Sequence, residues 1–192
     1  MENQKFETET FSLLIPSVYT NMQVVWESIR AAHELPKSDY LSYATTTLIP
    51  VAFFNEFTGE TLVLRYWESC KHEDQETKLL EEKEIQVAGH TSNIQMLKSN
   101  DGLFYYYAIV QISDEFCYIF KGDCKIKNRD FYEPLFEEIW KSLEYFGNPK
   151  EAINKLPQFL LDLYYHTESD KNLDFDDEEE DDDLKNNDEE SE

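Results

Sequence analysis

Cationic side chains are scarce in this chain: 17 Lys and Arg stand against 41 Asp and Glu, for a net charge of -24. Such a balance repels a phosphate backbone, and with no local basic patch in the sequence no nucleic-acid partner is expected. Glycine is rarer still, with five residues at 59, 89, 102, 122 and 147. They are too dispersed for a phosphate-cradling loop and read as turns or caps. The three cysteines, Cys70, Cys117 and Cys124, are odd in number and spread among strand-like segments. Free buried thiols suit a reducing cytosol better than a disulfide framework. Long apolar runs are missing too, so no membrane insertion is expected. The polar stretch Met1–Glu7 is unlike a secretory signal, which again favours a cytoplasmic location.

Catalytic signatures are equally absent. His33, His72, His90 and His166 show no His-x-x-x-His spacing and no Cys/His cluster, so no metal ligands are assigned. There is no Gly-x-Ser-x-Gly elbow, and no cysteine stands in an electropositive context that would favour a thiolate. Carboxylates are too abundant for any pair to discriminate a glycosidase-like site. The sequence therefore offers no catalytic residue, no cofactor and no metal site, and the chain reads as a non-enzyme.

Aromatic residues are plentiful: 3 Trp, 12 Tyr and 13 Phe. Most belong in a core, but tyrosine can also face a wet rim, and some rings can form a partner-binding surface. Tyr66, Trp67, Tyr105 and Tyr107 must project from strand-like segments, and Trp140 sits beside the apolar stripe of a helix. These five are the candidate partner contacts, with Trp140 able either to widen the buried face or to anchor a partner. Charge collects at the other extreme of the chain, where Thr167–Glu192 holds 15 acidic and 2 basic residues. With only Leu173, Phe175 and Leu184 to bury, this stretch reads as a disordered acidic tail, since burial cannot offset ordering entropy of about 1–2 kcal/mol per residue. It serves as a solubilising, self-repelling segment or as a decoy for a basic partner or for the domain's own binding face. Residues 1–166 then form one globular domain.

Periodicity organises that domain. Phe6–Ile15 alternates as an opening strand or short hairpin. Met22, Val25, Trp26, Ile29 and Ala32 or His33 recur at helical spacing, predicting an amphipathic helix over Met22–Leu35 with Ser17 or Thr20 as its cap. Tyr40–Thr47 leans to strand, and Leu48–Phe54 with Thr61–Trp67 reads as a hairpin around Gly59, with Pro50 demoted to an edge or bulge. Ser69–Glu84 reads as a loop or exposed helix with no core role. Ile85–Met96 (interrupted at Gly89), Leu103–Ile112 and Phe116–Lys121 form an antiparallel meander with turns at Asn100–Gly102 and Ser113–Asp114. Leu103–Val110 lacks a polar face, which implies a sheet covered on both sides by helices. Phe131–Phe146 is the strongest helix, with Pro134 in its first turn and Gly147 as its stop. Asn148-Pro149-Lys150-Glu151 starts further C-terminal helices from about residue 149, with a break at Pro157.

The order of these segments resembles a known family. Phe11-Ser-Leu-Leu-Ile-Pro16 comes early, Leu62-Val-Leu-Arg-Tyr-Trp67 follows in a hairpin, and Val87-Ala88-Gly89 precedes a meander ending in Phe116-Cys-Tyr-Ile-Phe120. Last comes a helix bearing Phe136, Ile139, Ser142 and Leu143. Over roughly residues 6–146 this is similar to the Mog/PsbP/DcrB superfamily of α/β/α sandwiches. The resemblance implies an α+β fold, an antiparallel sheet covered by helices on both faces. It also implies a non-enzymatic binding module, since members serve as Ran-binding import factors, photosystem extrinsic subunits, envelope lipoproteins or cytosolic chaperones of secreted effectors. The expectation is a cytosolic adaptor or chaperone-like module with a protein partner (effector-associated, secretion-related or immunity-type), acting as a monomer or homodimer. Its rival is a small-molecule binding protein or an undetected enzyme with an aromatic-lined pocket.

Overall fold

Alternation decides the first element. The computed structural model describes residues 2–34, 41–50, 77–158 and 161. In it, β1 (Asn3–Glu7) and β2 (Phe11–Pro16) form an antiparallel hairpin with Phe6 opposite Leu13. Phe11, Leu13 and Ile15 turn into the core while Leu14 faces out, the period-2 burial that the sequence spells.

The next segment overturns the helix expected over Met22–Leu35. It folds instead as a second hairpin, β3 (Asn21–Val25) and β4 (Ser28–Glu34), with Trp26-Glu27 as its two-residue loop. The apolar residues satisfy both periods, and a short run of this kind is settled by what it packs against. Pairing β4 with β5 (Leu41–Pro50) sets Ile29 opposite Thr46 and Ala31 opposite Ala44, which buries Ile29 and Ala31. Pro50 closes β5 opposite Phe116. Leu48–Pro50 of the hairpin expected around Gly59 thus continue β5, while the rest of it, including Tyr66 and Trp67, lies outside the described residues, as do Cys70 and the acidic tail.

The meander is present and longer than expected. It comprises β6 (Lys78–Val87), β7 (His90–Lys98), β8 (Leu103–Gln111) and β9 (Phe116–Lys125), all antiparallel. The part of the presumed loop or exposed helix from Lys78 onward is therefore strand, and Leu80, expected to have no core role, packs partly against the core. Its many charges are compatible with strand because β6 is a sheet edge, where charge discourages stray pairing. The single interrupted strand expected over Ile85–Met96 is in fact two, reversed at Ala88-Gly89. Both loop residues have positive φ (50° and 82°), the geometry a two-residue hairpin favours. The seven strands run in the order β3-β4-β5-β9-β8-β7-β6.

After a 3-10 turn at Ile126–Asn128, α1 (Arg129–Lys141) crosses one face of the sheet and packs on β2, β8 and β9. Its apolar stripe, Tyr132, Leu135, Phe136, Ile139 and Trp140, is wholly buried. The helix starts two residues before the expected Phe131 and stops five before Phe146, and Pro134 lies in its second turn. Leu143 enters the core, and β10 (Glu144–Tyr145) pairs with β2 to complete a three-stranded sheet. Gly147 is thus no helix stop. With φ +70° it lies against Glu9, whose carbonyl oxygen would be 2.8 Å from a Cβ at that position. Next comes α2 (Pro149–Asn154), capped as its sequence specifies: the Lys150 N–H donates to Asn148 Oδ1 at 3.1 Å.

The fold is mostly antiparallel sheet with few helices. Phe104, Tyr106, Ala108 and Val110 of β8 face α1, and Tyr107 and Ile109 are buried on the opposite side. Helices on both faces were expected; among the described residues they lie on the first face only.

Candidate functional site

The second face, opposite α1, carries the candidate site. Strand pairing lines up residues of one parity there. Gln23 sits opposite Arg30, Arg30 opposite Thr45, Thr45 opposite Lys121, and Lys121 opposite Tyr107. A parallel row runs Tyr43, Asp123 and Tyr105. Side chains two apart on a strand share a face, so five neighbouring strands contribute to one surface.

A groove of about 430 Å³ opens on this surface, lined by Gln23, Val25, Arg30, Tyr43, Lys121 and Asp123 among others. A smaller hollow of about 150 Å³ adjoins it, sharing Gln23, Arg30 and Tyr43. The exposed Arg30 guanidinium stacks 4.6 Å from the Tyr43 ring centroid. Lys121 Nζ lies 5.5 Å from the ring centroids of both Tyr105 and Tyr107, which stack on one another at 5.7 Å. Cations over ring faces are attracted by the negative π-cloud, worth about 0.5–1 kcal/mol at exposed sites. In a chain of net charge -24, two cations and one carboxylate are among the described residues that line this groove.

The five sequence candidates separate here. Tyr105 is half-buried beside the groove, whereas Tyr107, expected as a partner contact, is buried and offers a partner almost no surface. Trp140 resolves to the first of its two readings, because it is fully buried on the opposite face and cannot anchor a partner. Its Nε1–H donates to Ser92 Oγ at 2.7 Å, and Ser92 Oγ donates to the Ile109 carbonyl at 2.9 Å. Tyr66 and Trp67 lie outside the described residues. Arg30, Tyr43 and Lys121 escaped the sequence reading. Arg30 was hidden by the helical assignment of Met22–Leu35, although Ser28 and Arg30 alternating with Ile29 and Ala31 is a strand signal.

Burial pushes the thiol of Cys117 up, and burial followed by the nearby Asp123 takes that of Cys124 to about 12, so both remain protonated. His33 Nδ1 is 2.7 Å from the Tyr132 hydroxyl, and burial lowers the His33 pKa. Among the described residues, no three His, Cys, Asp or Glu side chains are grouped to hold a metal. No helix there is long and apolar enough to cross a membrane. On the helix side, Glu137 is bridged by Lys83 at 2.6 Å and Lys141 at 2.5 Å, and Arg129 Nε bonds Glu133 at 2.6 Å. Burial pushes the Glu137 carboxyl up, but the two lysines outweigh it and the net direction is down.

This mostly antiparallel fold matches Mog1/PsbP-type folds. No family model matches the chain, and no curated protein sequence matches it. Solved structures do. The Ran-binding protein Mog1p of Saccharomyces cerevisiae is 10% identical with a TM-score of 0.52, covering 75% of this chain and 95% of its own. Cyanobacterial PsbP from Synechocystis is 10% identical with a TM-score of 0.54, covering 75% and 92%. A Pseudomonas aeruginosa protein of unknown function is 12% identical with a TM-score of 0.51, covering 77% and 100%. Likeness at this identity is a likeness of fold.

Proposed function

We propose that this protein is a non-enzymatic, cytoplasmic protein-binding module, an adaptor or chaperone, that holds a polypeptide partner on the second face of its large sheet. The observation that carries this reading is the groove lined by Arg30, which lies over Tyr43, and by Lys121, which lies over the rings of Tyr105 and Tyr107 beside it. Arginine and tyrosine are the side chains that most often dominate protein interfaces, since each combines a large apolar area with a directional polar group. A local cationic lining in a strongly acidic molecule selects partners bearing carboxylates or aromatic rings there, while the rest of the surface repels acidic competitors. The Ran-binding activity in the name of the yeast neighbour supports a binding role for the fold. The protonated thiols and the engaged His33 support the absence of a catalytic role.

A photo-crosslinking side chain placed at Thr45 in the full chain, expressed in its native cells, tests the proposal. It is expected to capture one polypeptide in stoichiometric yield, while the same group at Lys98, away from the groove, captures none. Equal labelling from both positions, or none from either, would refute it.

A further inference from the structure

The two edges of the large sheet are built in opposite ways. The edge strand β6 carries Lys78, Glu81, Glu82, Lys83 and Glu84 and a bulge between Leu79 and Glu81. Charges and bulges of this kind keep an edge from pairing with another chain. The other edge, β3, has the sequence Asn-Met-Gln-Val-Val, with no charge, no proline and a regular register. At its tip Val24, Val25 and Trp26 are 43%, 48% and 49% exposed. Trp26 is held at φ +51°, a conformation that costs an L-residue about 1–2 kcal/mol. Among the described residues no strand pairs with the outer side of β3.

We infer that β3 is a pairing edge, and that its occupant is β3 of a second copy of this chain, antiparallel about a two-fold axis at Gln23. The register follows from the hairpin. Val25 and Ser28 close a two-residue loop, so Val25 and Gln23 turn their backbone groups to β4, leaving those of Met22 and Val24 on the outer edge. An axis at Gln23 sets Met22 opposite the partner's Val24, and Val24 opposite the partner's Met22. Each pair exchanges two backbone hydrogen bonds, and the apolar side chains meet on the side facing α1. Gln23 meets its own copy, amide to amide, on the groove side. No charge opposes a like charge at any position.

The electrostatics point to the same place. Between Val18 and Glu34 the charged residues are Glu27, Arg30 and Glu34, in a chain of net charge -24. Of these, the Glu27 carboxylate is already consumed, accepting from the Thr8 hydroxyl at 2.8 Å and from the Glu9 and Thr10 N–H groups at 3.1 and 3.2 Å. Two highly acidic molecules meet the least repulsion at this margin, which carries a net charge of only -1. A five-residue edge is a small interface, in the transient class below about 1,200 Å², so the pair dissociates readily on dilution. Because Gln23 lines both hollows of the groove, pairing joins the two grooves across the axis into one continuous face. The pairing holds whatever occupies the groove.

Sedimentation of the full chain up to millimolar concentration, at low and high salt, tests this inference. A monomer–dimer equilibrium that tightens with salt is expected, since screening removes the mutual repulsion of two acidic copies. Gln23→Lys and Gln23→Glu should each weaken association about threefold or more, because like charges then oppose one another across the axis. An equimolar mixture of the two variants should recover it. Gln23→Lys also lowers the net negative charge of each copy, so if overall repulsion alone governed association that variant would instead associate more tightly. A chain monomeric under every condition, or a mixture no better than either variant alone, would overturn the inference. Exchange of the Met22 and Val24 amides supplies a second readout: it should slow as concentration rises. Concentration-independent protection would mean that another segment of the same chain covers the edge, and would also overturn it.

Discussion

Gly122 offers a sharp test of how α1 is seated on the sheet. A Cβ built at this position would lie 2.7 Å from two ring carbons of Phe136 and 2.8 Å from a third. Carbon atoms pack best at about 3.5–4.0 Å, so Gly122→Ala forces the ring back by nearly an ångström. Phe136 is fully buried between Tyr106, Phe120 and Tyr132 and has no free direction in which to move. Overpacking of this kind costs about 1–3 kcal/mol, and replacing glycine returns about 0.4–1 kcal/mol through the unfolded chain. The net loss expected is about 1–2 kcal/mol, or roughly 3–6 °C in Tm for a chain of this size. Urea unfolding of wild type, Gly122→Ala, Phe136→Ala and the double variant measures the coupling. In the Phe136→Ala background the ring is gone, and Gly122→Ala should be neutral or slightly stabilising. An equal cost with and without the ring would refute the proposed seating of α1.

Three further outcomes are expected. Glu27→Ala removes the acceptor that holds the Thr8–Thr10 turn, and leaving those donors unmatched should cost about 2–3 kcal/mol in urea unfolding, with little effect on groove binding. Ser92→Ala strands the buried Trp140 N–H and should cost about 1–3 kcal/mol; red-shifted Trp140 emission would report any water admitted. Burial depresses the pKa of His33 in the folded state below its ordinary 6.5, so the unfolded chain binds the proton more readily. Its contribution to stability is complete above pH 6.5 and is lost as pH falls below it, so stability between neutral pH and that range should decline less in His33→Gln than in wild type.

Elements with one dominant signal were legible from sequence. The β1–β2 hairpin rests on alternation, the β7–β8 and β8–β9 connections on turn residues, the buried stripe of α1 on 3.6-residue spacing, and Asn148-Pro149 spells the start of α2. Ambiguity arose where two periods coexist. Over Met22–Leu35 the helical pattern is real, and only pairing with β5 gives Ile29 and Ala31 a burial that decides the matter. Charge misled in β6, whose lysines and glutamates read as loop or exposed helix but sit on the edge of the sheet among the described residues. Little of the candidate site was legible in the sequence. Tyr105 and Tyr107 stand in an obvious strand, whereas Arg30 and Tyr43 reach them only through the order of β4, β5, β9 and β8, which no local pattern encodes.

The claim that the sheet face opposite α1 is the working surface is tested most directly by affinity. The polypeptide captured from Thr45 can be titrated against wild type, the double variant Arg30→Ala/Tyr43→Ala, and Lys141→Gln on the helix side. The double variant is expected to bind at least about tenfold more weakly, since each tenfold is about 1.4 kcal/mol and a paired interface anchor commonly exceeds that. Lys141→Gln should bind as wild type does. Unchanged binding by the double variant, with loss on the helix side instead, would contradict the claim.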